Sequence, residues 1–345
     1  MCYDSSFTKS SLAGCCLTHL YPGHMRFIVS ALLLFYFAAI ASAQEPWNGS
    51  YISLGTSTTG IGLGNSKTYN GIRFNAFGDS LVQSNGLNVT VINGFDRMHD
   101  ESGTMNGIST AVIGSHYTNV NGVAIGTLGS MAQHSNGILA GGFAGGSEDH
   151  NGILFSLALA FVRHLNGIEL SAFGSGYDTL NGLAASLVGH GPLESGVPNP
   201  GFARGAVISG LWSVLNRVDG FTCSLLATGT EELHGLAVSG VVTHWKVRGV
   251  VIGLYTVATS NTFSTPKPKW MLTDTANPPP PASIELEPST SVGLFIGGAN
   301  RGAKVTGLQI GLFNEADELH GVQIGLLNHA KNSSLPWLPF INLVL

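Results

Sequence analysis

The chain has 345 residues, a formal net charge of −5 and only 10% charged residues. It carries no basic stripe, so the electrostatic footprint of nucleic-acid binding is missing, and we expect no nucleic-acid partner. Its 47 glycines are about twice the usual share of roughly 7%, and glycine disfavours helix interiors, so we expect little helix.

Residues 1–43 read as a secretory signal peptide. Met25 and Arg26 open a basic segment, residues 27–40 are almost entirely apolar, and residues 41–43 (Ala-Ser-Ala) fit the small-x-small cleavage rule. The apolar run is shorter than the roughly 20 residues that span a bilayer, which favours cleavage over anchoring. Residues 1–24 do not resemble a signal, which is consistent with a non-native upstream extension and a start at Met25.

Four cysteines are present, and three of them precede the predicted cleavage site. The mature chain would keep only Cys223, so no internal disulfide is expected. A lone cysteine is usually a small core residue, and we expect Cys223 to be buried.

A repeat array is predicted over residues 44–263. Asn-Gly pairs recur every 15 residues from Asn106 to Asn181, and the same spacing begins with Asn70 and Asn85. A fixed period of this length predicts one small unit stacked on copies of itself. The predicted structural corners are Asn70, Asn85, Asn106, Asn121, Asn136, Asn151, Asn166 and Asn181, with Gly107, Gly122, Gly137, Gly152, Gly167 and Gly182.

Later units keep the glycine and lose the asparagine. The corner pairs become Arg204-Gly205, Asp219-Gly220, His234-Gly235 and Arg248-Gly249. The last clear units start at Gly307 and Gly321, 14 residues apart.

Each unit begins with a strand-like alternation of residues. The corner glycine is followed by an apolar, a variable and another apolar residue, as at Ile153 and Phe155 or Ile168 and Leu170. We expect these Ile, Val, Leu and Phe side chains to form a narrow core. The outer strand face would then be rich in Ser, Thr, Gly and Ala.

Two all-β architectures fit a strand every 15 residues. In a parallel β-solenoid of about 15-residue coils, equivalent residues stack about 4.8 Å apart, the asparagines form a ladder, and glycine permits a corner with φ above zero. The alternative is an antiparallel outer-membrane β-barrel, because Asn-Gly is also a strong hairpin signal. Such barrels alternate short turns with long loops, whereas the connections here are nearly equal, so the solenoid is favoured.

Three segments interrupt the array. Residues 264–292 are rich in proline, which removes the donor that a strand needs, and they predict a loop or linker. Shorter loops are expected over residues 96–102 and 191–200. Residues 293–345 form the predicted C-terminal repeats and tail.

The last units resemble a known group of sequences. The segments GLQIGLFN at Gly307 and GVQIGLLN at Gly321, followed by a Leu-Pro and Ile-Asn tail, are similar to an uncharacterised bacterial surface-repeat protein family with tandem G-L-Q-I-G-L-x-N units. The match is close from Thr306 to Leu345 and looser from Asn70 to Val250, where the units read Asn-Gly-Ile. The resemblance implies export and a cell-envelope or surface setting, and it carries no activity.

Motifs for chemistry are weak. The segment from Gly60 to Thr68 lacks the glycine that a phosphate loop places directly before its lysine. We expect exposed histidines at the corners rather than metal ligands; these are His99, His116, His134, His150, His164 and His190. Glu169 is expected to face outward without an acidic partner one coil away, which disfavours glycosidase chemistry. The sequence therefore predicts no cofactor, no metal and no catalytic residues.

Taken together, these features predict an exported cell-envelope or surface repeat protein with a structural or ligand-recognition role and no catalysis. The expected partner is an unknown surface ligand, either glycan or protein. The alternative is an outer-membrane barrel or pore. Expected locations are the cell surface, the outer membrane or the extracellular space.

Overall fold

The computed structural model describes residues 51–56, 58–78, 81–94, 103–193, 201–258 and 288–345. The predicted signal peptide, the insert at 96–102, residues 194–200 of the second loop and residues 264–287 of the proline-rich segment lie outside the described residues.

All regular structure in the described ranges is β-strand, and no helix occurs in them. Several strands continue around a corner, so that one strand can span more than one coil. The strands are β1 (Tyr51–Gly55), β2 (Thr59–Gly64), β3 (Thr68–Gly78), β4 (Gln83–Asn93), β5 (Thr104–Gly126), β6 (Gly129–Gly141), β7 (Ala144–Ser156), β8 (Leu159–Ser171), β9 (Gly174–Ser186), β10 (Gly189–Pro192), β11 (Phe202–Ser209), β12 (Trp212–Ser224), β13 (Ala227–Ala258), β14 (Thr290–Ala330) and β15 (Trp337–Val344).

Successive coils pair in parallel with a constant register. Asn136 lies opposite Asn151 and Gly137 opposite Gly152, and the same 15-residue offset relates β7 to β8 and β8 to β9. Because equivalent residues stack on their counterparts, with one register shift between β4 and β5, the prediction of a parallel β-solenoid with about 15-residue coils is confirmed. Antiparallel pairing occurs in the described strands only between β1 and β2 and between β14 and β15.

The corner glycines form one column from Gly60 to Gly321. Gly152 has a φ of +135°, and a Cβ atom there would lie 2.1 Å from the carbonyl oxygen of Gly137 in the preceding coil. Any side chain would therefore combine a strained backbone with a clash against an immobile neighbour. This requirement explains why the glycine persists after the asparagine beside it is lost.

The core is filled from more than one side of the coil. The second residue after each corner glycine points inward, as Leu139, Leu154 and Ala184 do. Residues just before the corner, such as Leu165 and Leu180, enter from another side and are equally buried. The fourth residue after the glycine also points inward and is often serine, so the interior is partly polar.

Antiparallel strands cover both ends of the described stack. Strand β1 pairs with β2 through Leu54 and Ile61, and β15 pairs with the last coil of β14 through Asn342 and Gln323. An exposed strand edge is a template for unwanted pairing, and these two strands occupy the edges.

Candidate functional site

The most unusual surface of the described chain is apolar and faces outward. It consists of the first, third and fifth residues after each corner glycine from Gly71 to Gly321, and we call it the outer apolar face. In the coil of Gly152 these residues are Ile153, Phe155 and Leu157, which are 40%, 41% and 57% exposed. Large side chains repeat this pattern in most coils.

This orientation corrects the sequence prediction. Ile153 and Phe155 were expected in the core, with Ser, Thr, Gly and Ala outside, but the variable residue between them is the buried one. Alternation distinguishes two faces of a strand without saying which is inside, and a shift of one residue exchanges them. Residues from the other sides of the coil, together with the residue between Ile153 and Phe155, fill the interior. The side chains of Ile153 and Phe155 therefore remain outside.

The outer apolar face carries no charge. None of its positions holds Asp, Glu, Lys, Arg or His. Charged residues pair across coils on other sides of the solenoid: Arg163 and Glu148 lie 3.7 Å apart, and Lys331 and Asp317 lie 2.6 Å apart. The molecule therefore presents one apolar side and separate charged sides.

A groove of about 1220 Å³ runs along the C-terminal part of this face. It is lined by Leu225, Gly240, Leu254 and Ile324, and by Phe340 of β15. Cys223 lines the same groove and is partly exposed, which corrects the prediction of a buried core cysteine. The groove can accept apolar groups and offers few polar atoms to orient them.

The predicted corner asparagines lie together in one column beside the glycines. From Asn85 to Asn181, each side-chain amide donates to the asparagine oxygen of the preceding coil; for example, Asn151 donates to Asn136 at 3.0 Å and Asn166 donates to Asn151 at 3.0 Å. From Asn106 to Asn181 the donor–acceptor distances lie between 2.7 and 3.1 Å. The column lies on an exposed corner and has no cavity of its own, so its geometry is that of a structural ladder.

A polar cluster inside the solenoid escaped the sequence analysis. Glu169 is buried, which corrects the expectation that it faces outward. Its Oε2 atom accepts hydrogen bonds from the Ser175 hydroxyl at 2.8 Å and from His190 Nε2 at 3.3 Å. The Ser209 hydroxyl lies 2.7 Å from His190 Nδ1. Burial, and then the Glu169 carboxylate, raise the pKa of the Tyr177 hydroxyl well above its usual value of 10.0.

This cluster has the order of a nucleophile, a base and an orienting acid. Acyl transfer also requires that a substrate reach the hydroxyl. Ser209, His190 and Glu169 are all buried between coils, so the hydroxyl of Ser209 is not presented at the surface. Glu169 Oε1 and the Tyr177 hydroxyl, which belong to the same cluster, have no hydrogen-bond partner within the described part of the chain. The sequence signal was Glu169 at the inward position that Leu154 and Ala184 occupy in the adjacent coils.

Two predicted corner histidines are also buried. His150 and His190 lie in the interior, whereas His134 and His164 are exposed as expected. Burial lowers the pKa of His150. The prediction of uniformly exposed histidines is wrong because positions just before the corner point inward, and His150 occupies one of them.

In the described ranges, no group of three or more His, Cys, Asp or Glu side chains is placed to hold a metal ion. The same ranges contain no helix that is long and apolar enough to cross a membrane.

Comparison with known proteins finds no matching family model, no similar curated protein and no similar solved structure. The resemblance to bacterial surface-repeat proteins therefore stays a prediction from the sequence of the last units.

Proposed function

We propose that this β-solenoid is an exported cell-envelope or surface protein with a structural or ligand-recognition role, and that the outer apolar face is its contact surface. The observation that carries the proposal is the run of exposed Ile, Leu, Val and Phe side chains over successive coils. Scattered exposed apolar residues are ordinary, whereas a continuous patch beyond a few hundred Å² marks an interaction site.

The size of the patch supports this role. Coils stack at about 4.8 Å and strand residues advance about 3.3 Å, so the face from Gly71 to Gly321 covers roughly 900 Å². Its exposed area would stabilise a complex by the hydrophobic effect, at about 25 cal/mol per Å² before the costs of association. The rest of the solenoid surface carries charged side chains that remain in contact with water.

Export is supported by the sequence of the first 43 residues and by the resemblance of the last units to surface-repeat proteins. The single cysteine left after cleavage at Ala43 fits a chain that needs no disulfide. The repeat is a scaffold that can display the same side-chain pattern many times, which suits recognition of an extended partner.

The proposal is tested by fractionating the cells that produce the chain. We expect a mature form that begins at Gln44 and is retained by the envelope or the cell surface. An uncleaved chain in the cytoplasm would contradict export.

The contact surface is tested with the variant Phe155→Ser, Ile168→Ser and Leu170→Ser. These side chains point outward, so the variant should keep its β circular-dichroism spectrum and lose its retention. The matched control is Leu335→Ser, which removes an exposed leucine from the turn before β15. Equal retention of both variants and the unmodified chain would contradict a contact role for the face.

A further inference from the structure

We infer that the partner of the outer apolar face is a second copy of this chain, packed face to face. The inference rests on the proposed contact role of that face and adds the identity of what covers it. Three observations carry it: a regular relief of large and small residues, the absence of charge, and a groove that the relief of another copy would fill.

The relief appears at the fifth residue after each corner glycine. From the coil of Gly152 to the coil of Gly307, leucine and a small residue alternate from coil to coil, and the last coil adds a second leucine, Leu326. The leucines at Leu157, Leu187, Leu225 and Leu254 are 57%, 71%, 70% and 78% exposed, and they are therefore projections rather than core residues. The column reads Leu157, Ala172, Leu187, Gly210, Leu225, Gly240, Leu254, Gly298 and Leu312.

This alternation makes the surface complementary to itself. Neighbouring coils are about 4.8 Å apart, so the projecting leucines repeat at about 9.6 Å with a depression between each pair. A two-fold pairing of identical faces can place the leucines of one copy over the small residues of the other, as side chains interdigitate between packed sheets.

The groove shows where those leucines would enter. It follows the depressions at Gly210, Gly240 and Gly298, and its volume of about 1220 Å³ is open and apolar. A leucine row from a second copy supplies apolar groups at the required spacing. The estimated area of the face, roughly 900 Å², is close to the about 800 Å² that each partner buries in a standard interface.

Charge favours a second copy over a lipid surface. Interfacial lipid binding usually combines apolar side chains with flanking Lys and Arg residues that meet anionic headgroups. Here the face carries no charged residue and the net charge of the chain is −5. The flanking corner is neutral asparagine from Asn70 to Asn181 and is mixed in sign beyond it, with Asp219 between Arg204 and Arg248, so it forms no continuous basic row. A lipid surface also gives no reason for leucine and small residues to alternate.

The inference is tested by sedimentation velocity of the purified full chain. We expect a dimer for the unmodified chain and a monomer for Leu187→Asp combined with Leu225→Asp, because a buried unpaired carboxylate in the interface is unfavourable. The control Leu335→Asp adds a charge to an exposed leucine off the face and should leave the dimer intact.

A second variant separates interdigitation from simple apolar adhesion. Ala172→Leu fills one depression and adds apolar surface without adding charge. Consecutive leucines at Leu312 and Leu326 show that the column accepts neighbouring leucines. We expect Ala172→Leu to raise the dimer dissociation constant at least about tenfold, and Thr306→Leu, which adds a leucine at a corner, to leave it unchanged.

Phosphatidylcholine vesicles provide the competing test. A monomeric unmodified chain that floats with the vesicles, and floats more strongly as Ala172→Leu, would overturn the second copy while leaving the contact role of the face in place. A monomeric chain whose envelope retention is also insensitive to Phe155→Ser, Ile168→Ser and Leu170→Ser would overturn both proposals. A dimer weakened by Ala172→Leu supports the inference.

Discussion

Both the early and the late coils contain a ladder of side-chain amides, but the early ladder lies on the surface and the late ladder lies in the interior. In the early coils the ladder runs along the exposed corner from Asn70 to Asn181. In the late coils the corner asparagines are gone and a ladder runs through the interior, where Asn300 donates to Asn314 at 2.8 Å and Asn314 donates to Asn328 at 2.8 Å.

A second interior ladder accompanies it in the late coils. Gln323 donates to Gln309 at 2.8 Å, and Asn342 of the covering strand β15 donates to Gln323 at 3.2 Å. These side chains are buried, and the chain of amides continues from the last coils into the strand that covers them.

The difference shows that one hydrogen-bond geometry has two energetic meanings. At the corner, water competes for every amide, so the net gain per bond is about 0.5–1.5 kcal/mol at most. Inside, loss of one partner leaves a buried amide unsatisfied at a cost of about 1–3 kcal/mol per group. Loss of one exposed amide in the early ladder should therefore cost little stability. Loss of one buried amide in the late ladder should destabilise the core.

The corner glycines are common to both regions and should show the largest effect. Gly152→Ala and Gly307→Ala place a Cβ 2.1 and 2.2 Å from the carbonyl oxygen of the preceding corner glycine, both at φ above +120°. We expect each to lower the free energy of unfolding by at least about 3 kcal/mol in a denaturant titration. Gly191→Ala is the control, because its Cβ would meet Trp212 at an ordinary 3.8 Å. A large loss of stability for only one of the two variants would contradict the claim that the corner glycine is equally necessary in the early and the late coils.

Asn314→Ala tests the interior ladder. It removes the donor to Asn328 and the acceptor for Asn300, and it leaves a cavity, so we expect a loss of about 2–4 kcal/mol in the free energy of unfolding. The exposed neighbour Asp317→Ala breaks only the exposed ion pair with Lys331 and should cost less than about 1 kcal/mol. Similar losses for the two variants would show that the late ladder is not energetically distinct.

Acid should act on buried histidine in the late half. Burial lowers the pKa of His244 from its usual 6.5 to about 4, and its Nε2 lies 3.1 Å from the Ser291 hydroxyl. Since the unfolded chain takes up the proton first, stability should fall by about 1.4 kcal/mol per pH unit from pH 6.5 down to about pH 4 and then level off. His244→Gln should lessen the slope by about this amount and leave the part that other buried histidines such as His150 contribute, whereas His164→Gln on the exposed surface should leave the slope unchanged. Identical pH profiles for both variants would contradict the burial argument.

The smallest effect is expected at the exposed ladder. Replacing Asn121, Asn136 and Asn151 together by alanine should cost about 0.5 kcal/mol per residue. The control replaces three exposed residues outside the ladder, Lys67, Thr68 and Thr127, by alanine. If the triple asparagine variant loses no more free energy of unfolding than the control, the corner hydrogen bonds contribute nothing to stability. If each of its substitutions costs as much as Asn314→Ala, the two ladders do not differ in energy.

The solenoid could be predicted from the sequence because its period is a local and repeated signal. Asn-Gly spacing gives the coil length, and the need for glycine at Gly152 follows from backbone sterics that act at every corner. Which of Ile153, Leu154 and Phe155 point into the core could not be predicted. Alternation along a strand separates two faces but does not say which is buried, because that depends on how the other sides of the coil pack.

The interior polar groups were also beyond the sequence pattern. Glu169 is one charged residue at a variable position, and its hydrogen bonds to Ser175 and His190 come from residues 6 and 21 positions away. Asn300 and Asn314 are 14 residues apart, so their spacing was visible, but only the placement of that position inside the coil separates a ladder in the core from one on the surface.

The central claim is that apolar side chains face outward while the residue between them fills the core, and cysteine labelling tests it most directly. In a Cys223→Ala background, Leu154→Cys and Phe155→Cys are each treated with a water-soluble maleimide under native and denaturing conditions, at low protein concentration. The account predicts that the thiol at position 155 reacts in the native chain and that the thiol at position 154 reacts only after denaturation. Native labelling at position 154 with protection at position 155 would contradict the outer apolar face and the proposals built on it.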